Sequence, residues 1–248
     1  RAVFHILWIE ESAPLLGYLL KKHCGLTSSA SREPQSSMSA EEVEQLKDLI
    51  DNNAEGTLPS PLVSFVRETK KRENLTPEII DTLAAQHVTN VHVNLAKKSK
   101  SSAIMKYVSH RIDMANIRIA LRLREENADD SVFIQGGSLD LKRLAGNLEG
   151  IVKAIERSHL PFSLGEAVRK SADSPNDLEL ALSEVTASDI AHMWNTPLSI
   201  EPVFAFAALA QSQVALLRAL VIGKRAALDP QSIKQMLPPF ISASHYVL

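Results

Sequence analysis

Few residues in this chain have the types and spacing that chemistry requires. Four arginines stand out. Arg111, Arg118 and Arg122 fall within about 40 degrees of one another on a helix of 3.6-residue period. Arg218 sits in a strongly apolar stretch with no acidic residue within one helical turn. Such side chains either carry their heads to water over an apolar surface or bind carboxylates on a partner or a neighbouring module. Arg111, Arg118, Arg122 and Arg218 are therefore the candidate partner interface.

Catalytic, cofactor and metal sites are not indicated. The chain has no G-x-x-x-x-G-K-[ST] loop and no G-x-G-x-x-G turn. Eight histidines are present, but His87 and His92 are five apart and do not share a helix face as an i, i+4 metal pair does. Cys24 is the only cysteine, which excludes an internal disulfide and a cysteine-rich zinc site and fits a reducing compartment. The acidic pairs Glu10-Glu11 and Asp129-Asp130 are helix neighbours that do not face each other. Gly136-Gly137 reads as a turn ahead of a helix capped by Ser138. An enzyme reading would have to rest on Asp81, Asp113 or His110, and no spacing makes them converge.

Bulk properties agree. The chain has 248 residues, 27 Lys and Arg against 29 Asp and Glu, and a net charge of −2, so there is no basic field to hold nucleic acid. Hydrophobic residues make 45% and charged residues 23%, as in ordinary globular proteins. The apolar start, Arg1 to Ile9, is cut by Glu10 and Glu11 before a leader-like run is complete. The stretch from Val203 to Leu228 is interrupted by Gln211, Ser212, Gln213 and Arg218, and is read as a central, buried helix rather than a membrane span.

The elements that position these residues are helices. Ser39-Ala-Glu-Glu42 is a capping box. Thr76-Pro77, Ser174-Pro175 and Asp229-Pro230 each place a cap oxygen before a proline at the first helical position. Between Ser102 and Glu126, one apolar stripe (Ile104, Val108, Ile112, Ala115, Ile119, Leu123) runs beside a second (Met114, Ile117, Leu121), which predicts burial on two sides. Lys97-Lys-Ser-Lys-Ser-Ser102 marks a solvated break. Thr27–Ser37 is a serine-rich linker, and Asn127–Gly137 is a loop. No strand ladder is visible, so the fold class is all-α.

The chain also repeats. Ile112 to Arg124 and Ser212 to Lys224 align at about a hundred residues, Arg118 with Arg218 and Arg124 with Lys224. Phe133-Ile134 follows the first copy and Phe240-Ile241 the second. A fainter copy spans Ile9 to Lys22, with Pro14 read as mid-helix. The implied organisation is a truncated first helical module with its linker (1–57), a second module (58–160) and a third (161–248).

From about Leu58 onward, the order of Ile79-Ile-Asp81, Ile112-Asp113-x-x-Asn116-Ile117-Arg118 with Leu121-Arg122, Phe133-Ile-Gln-Gly-Gly-Ser-Leu139, Leu178-Glu179-x-Ala-Leu182 and the Pro202 helix with Leu217-Arg218 and Lys224 resembles the C subunit of the V/A-type rotary ATPases (ATP synthases), related to the d subunit of the eukaryotic V-ATPase. The chain departs from that family in its short first module and in Gln211, Ser212 and Gln213, where acidic residues are common. The resemblance implies a funnel-like or bundle body of packed helices and a non-catalytic rotor role, without cofactor. The implied partners are the central shaft subunits and the membrane proteolipid ring, with membrane association indirect and a cytoplasmic, peripheral location. A stand-alone helical adaptor for a soluble partner is the alternative.

Overall fold

The computed structural model describes residues 12–27, 32–34, 36, 38–123 and 132–230. Every regular element among them is a helix, so the fold is all-α. The helices are α1 (Ser12–His23), α2 (Ala40–Asn52), α3 (Ser60–Lys70), α4 (Pro77–Ser99), α5 (Ser102–Leu123), α6 (Leu141–Leu144), α7 (Leu148–Glu156), α8 (Phe162–Arg169), α9 (Pro175–Trp194) and α10 (Glu201–Arg225). The pairs Glu10-Glu11 and Asp129-Asp130, the Phe240-Ile241 echo, Arg124, and most of the serine-rich linker lie outside the described residues.

Local chemistry sets the helix starts. Ser39 accepts the Glu42 amide at 3.2 Å while the Glu42 carboxylate accepts the Ser39 amide at 2.8 Å, a complete capping box. Thr76 Oγ1 accepts the Ile79 amide at 3.3 Å at the head of α4. Ser174 precedes α9, but its side chain makes no cap hydrogen bond, and Pro175 alone sets the start. Pro14 is the third residue of the described α1, not a mid-helix break. The break between α4 and α5 falls where the lysine-serine run predicts it. Lys100 takes a left-handed φ of 56°, and Ser101 Oγ accepts the Ile104 amide at 3.2 Å to open α5.

The chain divides into two compact units, residues 1–95 and 96–248. In the first, Leu15, Leu16, Leu19 and Leu20 of α1 pack with Leu46, Leu49 and Ile50 of α2, Val63 and Val66 of α3, and Ile80 and Ala84 of α4. The end of α2 is closed by Asn53 in the left-handed region, φ 58°, and by Lys70 of α3, whose Nζ donates to the Ile50 carbonyl. Lys21 of α1 meets Asp81 of α4 at 2.8 Å.

His87 of α4 stacks on Phe65 of α3 with ring centroids 4.4 Å apart. Burial holds its pKa down to about 4, from an ordinary 6.5. A depressed histidine favours the folded state above the unfolded pKa and loses that contribution as pH falls. Stability therefore declines between pH 6.5 and 4, by an amount on the order of 1–2 kcal/mol after allowance for partial exposure. Denaturant midpoints measured from about pH 7 to 5 should show this slope in the wild type and lose most of it in His87→Phe.

In the second unit, α5 is the central element. Ile104, Val108, Ile112, Met114, Ile117 and Ala120 are all buried, drawn from both predicted stripes. Met114, Ile117 and Ala120 enter a core with Phe133, Leu139, Leu144, the apolar face of α7, Leu164 and Val168 of α8, and Leu178, Leu182 and Val185 of α9.

The sequence expectation for α10 is overturned. A helix apolar around most of its circumference should be central, yet this one buries only one side. Phe204, Ala205 and Ala208 are buried, with Phe204 set edge-on to Tyr107 at 5.3 Å. Val203, Phe206, Val214, Leu217 and Val221 are exposed, Phe206 at 60% and Leu217 at 59%. These five lie within about 80 degrees on the helical wheel. The physical reason is that composition records a demand for burial without recording what supplies it. By length and composition alone, α10 is also long enough and apolar enough to cross a membrane, with Gln211, Ser212, Gln213 and Arg218 in its interior.

Candidate partner interface

The family-like motifs meet in one place. Asp113, completely buried on α5, receives the loop that leads to α6. The Ser138 amide donates to both carboxylate oxygens, at 2.9 and 3.0 Å. The Ser138 hydroxyl donates to Oδ2 at 2.7 Å and the Leu139 amide to Oδ1 at 3.1 Å. One turn further along α5, Asn116 is also fully buried and holds Ile134 by both backbone groups. The Ile134 amide donates to Oδ1 and Asn116 Nδ2 donates to the Ile134 carbonyl, each at 2.8 Å. A carboxylate and a carboxamide thus replace the backbone partners that an irregular loop lacks.

This geometry corrects the reading of Gly136-Gly137. The pair does turn, with Gly136 at φ 107°. However, Ser138 caps no helix: α6 opens at Leu141, with Asp140 at the N-cap position. Gly137 serves close approach instead. A Cβ there would stand 2.0 Å from Asp113 Oδ1, so only glycine lets the loop seat on the carboxylate. Asp113 is therefore a structural clamp, its oxygens occupied by donors from the loop.

The arginines are placed as follows. Arg118 projects from α5 to α9 and pairs with Glu179 through two parallel bonds, Nε to Oε1 at 3.0 Å and Nη2 to Oε2 at 2.7 Å. That guanidinium holds the Glu179 carboxyl below its usual range. Both side chains are about half exposed, so the pair contributes no more than about 1 kcal/mol, chiefly as an orientation lock between α5 and α9. Arg111 is half-buried on α5, Arg122 is exposed near the end of α5, and Arg218 is exposed on α10, beside the apolar stripe.

Two long-range contacts had no sequence signal. Ser101 Oγ donates to Glu201 Oε1 at 2.6 Å, tying the start of α5 to the start of α10. Hydrogen bonds from Ser101 and then Ser199 lower the Glu201 carboxyl below its ordinary value. His110 of α5 and Asp189 of α9, both buried, meet at 2.8 Å between Nδ1 and Oδ2. Of the three residues an enzyme reading would need, Asp81 is engaged by Lys21, Asp113 by the loop and His110 by Asp189. Among the described residues, no group of three His, Cys, Asp or Glu side chains could hold a metal ion.

Comparison with known proteins gives one consistent result. A family profile described as ATP synthase (C/AC39) subunit matches residues 26–236. The A-type ATP synthase C subunit of Haloquadratum walsbyi is 26% identical over 201 residues, covering 77% of this chain and 53% of that protein. Its counterpart in Haloferax volcanii is 31% identical over 144 residues, covering 53% of this chain and 41% of that protein. The chain thus spans about half the length of these relatives, or less. The profile covers the Asp113–Asn116 clamp, its glycine loop, the Arg118–Glu179 lock and α10, and by that match the chain belongs to the ATP synthase (C/AC39) subunit family.

Proposed function

We propose that this chain serves as a non-catalytic connector in a rotary ATPase, standing between the central shaft and the membrane proteolipid ring and transmitting torque for ATP-driven ion transport or ATP synthesis. The family match over residues 26–236 carries this reading. A torque-bearing connector requires packed helices locked against one another and an interface for a neighbour. The loop clamp, the α5–α9 lock and the buried His110–Asp189 pair supply the first requirement. The exposed apolar stripe of α10 flanked by Arg218 supplies the second.

The stripe is read as a protein-docking face. Five apolar side chains on one side of a helix that is buried on the other match a helix-in-groove contact. Arg218 at its edge selects a partner with a carboxylate at the rim. Arg111, Arg118 and Arg122 form a second, polar surface along α5, where Arg122 offers an exposed guanidinium. The chain then lies peripheral to the membrane on the cytoplasmic side, reaching it only through the ring. The division into modules at 1–57, 58–160 and 161–248 belongs to the same reading.

Tagged purification from the native cell in mild detergent, followed by mass spectrometry, tests the proposal. ATPase head subunits, a shaft and a proteolipid should co-elute. Recovery of the chain with soluble partners alone would overturn the connector role and leave a helical adaptor built on the same family fold.

A further inference from the structure

His110 leaves one observation unexplained by the connector reading. Its side chain is 4% exposed and its Nδ1 is held by Asp189 at 2.8 Å, but its buried Nε2 has no hydrogen-bond partner. A buried polar nitrogen without a partner is costly, and native proteins nearly always satisfy one. His110 also lines an open cleft of about 520 Å³ with Met105, Lys106, Ser109, Ser138 and His159. This volume lies in the range of small-molecule sites.

The lining decides the ligand chemistry. It contains one lysine, two histidines and no acidic residue. The nearby carboxylates are engaged elsewhere: Asp189 on the Nδ1 edge of the imidazole, and Asp113 by the amides of Ser138 and Leu139 and the Ser138 hydroxyl. With Asp189 on one nitrogen and an anion on the other, the ring bridges the two as an imidazolium, donating from each. Lys106 adds an ammonium, His159 a second ring and Ser109 a hydroxyl. Met105 supplies an apolar wall that a bare ion would not contact.

We propose that this cleft is an oxyanion site, taking a phosphate-type group either as the free anion or as the head of a small organic phosphate, with His110 Nε2 donating to an anion oxygen and Lys106 and His159 providing countercharge. The site belongs to the 96–248 unit alone and does not depend on the connector reading.

The test follows the imidazole nitrogens of the intact chain by long-range ¹H–¹⁵N NMR during two titrations at constant ionic strength, one with inorganic phosphate and one with phenyl phosphate, with chloride as the control. Saturable shifts of His110 Nε2 are expected, weakened about tenfold or more in Lys106→Ala. Tenfold tighter binding of phenyl phosphate would assign the site to an organic phosphate, and equal binding to the free anion. Absence of a saturable His110 shift with both probes would overturn the proposal. So would an unchanged affinity in a folded Lys106→Ala, His159→Ala double variant. Because neither readout involves assembly, failure here leaves the connector reading intact.

Discussion

Asp113→Asn should destabilise the protein by about 2–4 kcal/mol, a shift visible in a denaturant unfolding curve with little change in slope. The substitution keeps the size and removes the charge. Three donors, the Ser138 amide and hydroxyl and the Leu139 amide, then face a carboxamide with a single acceptor oxygen. At least one buried donor loses its partner, and the new NH2 group points at N–H groups. Gly137→Ala should cost as much by a different route, because its Cβ would overlap Asp113 Oδ1. The two changes share one contact, so the double variant Asp113→Asn, Gly137→Ala should lose clearly less than the sum of the singles. Strict additivity would mean that the loop is not held by the carboxylate.

The largest functional effect is expected on α10. Leu217→Asp should leave unfolding free energy within about 0.5 kcal/mol of wild type, since the side chain is 59% exposed. If the stripe docks a partner, the same change should weaken association by about 30-fold or more, the size of a hot-spot loss at the centre of an apolar interface. Arg218→Glu should act more mildly in low salt and be rescued in part by raised ionic strength, as a rim charge would be. Co-purification and sedimentation of the variants measure both effects. Undiminished recovery of partners by a folded Leu217→Asp chain would remove α10 from the interface.

The contrast between these two sites shows what the sequence carries. Everything governed by neighbours within a turn or two was legible: the capping box at Ser39, the proline-marked heads of α4 and α9, the break at Lys100 and the double stripe of α5. The family-like motifs were legible in order and spacing, but their joint purpose was not. Nothing local tells that Gly137 is glycine because of Asp113, 24 positions earlier in a different element. His110 and Asp189 are 79 residues apart, Ser101 and Glu201 are 100 apart, and Arg118 and Glu179 are 61 apart. Pairs of that kind leave no periodic trace. The exposure of α10 was misread because hydrophobicity states only that a face is better off out of water. Its orientation depends on which neighbours the chain itself provides, and those lie in the packing of α5 and α9.

The Asp113–Asn116 clamp also bears on how the molecule breathes. The amides of Ile134, Ser138 and Leu139 sit in a segment without regular structure, where hydrogen exchange would ordinarily be fast. Each is bonded to a side chain of α5, the most deeply packed helix of its unit. Their exchange therefore requires α5 to let go, so the loop and the helix open as a single cooperative unit. A stretch that looks like a connector by its backbone belongs, by its opening free energy, to the core.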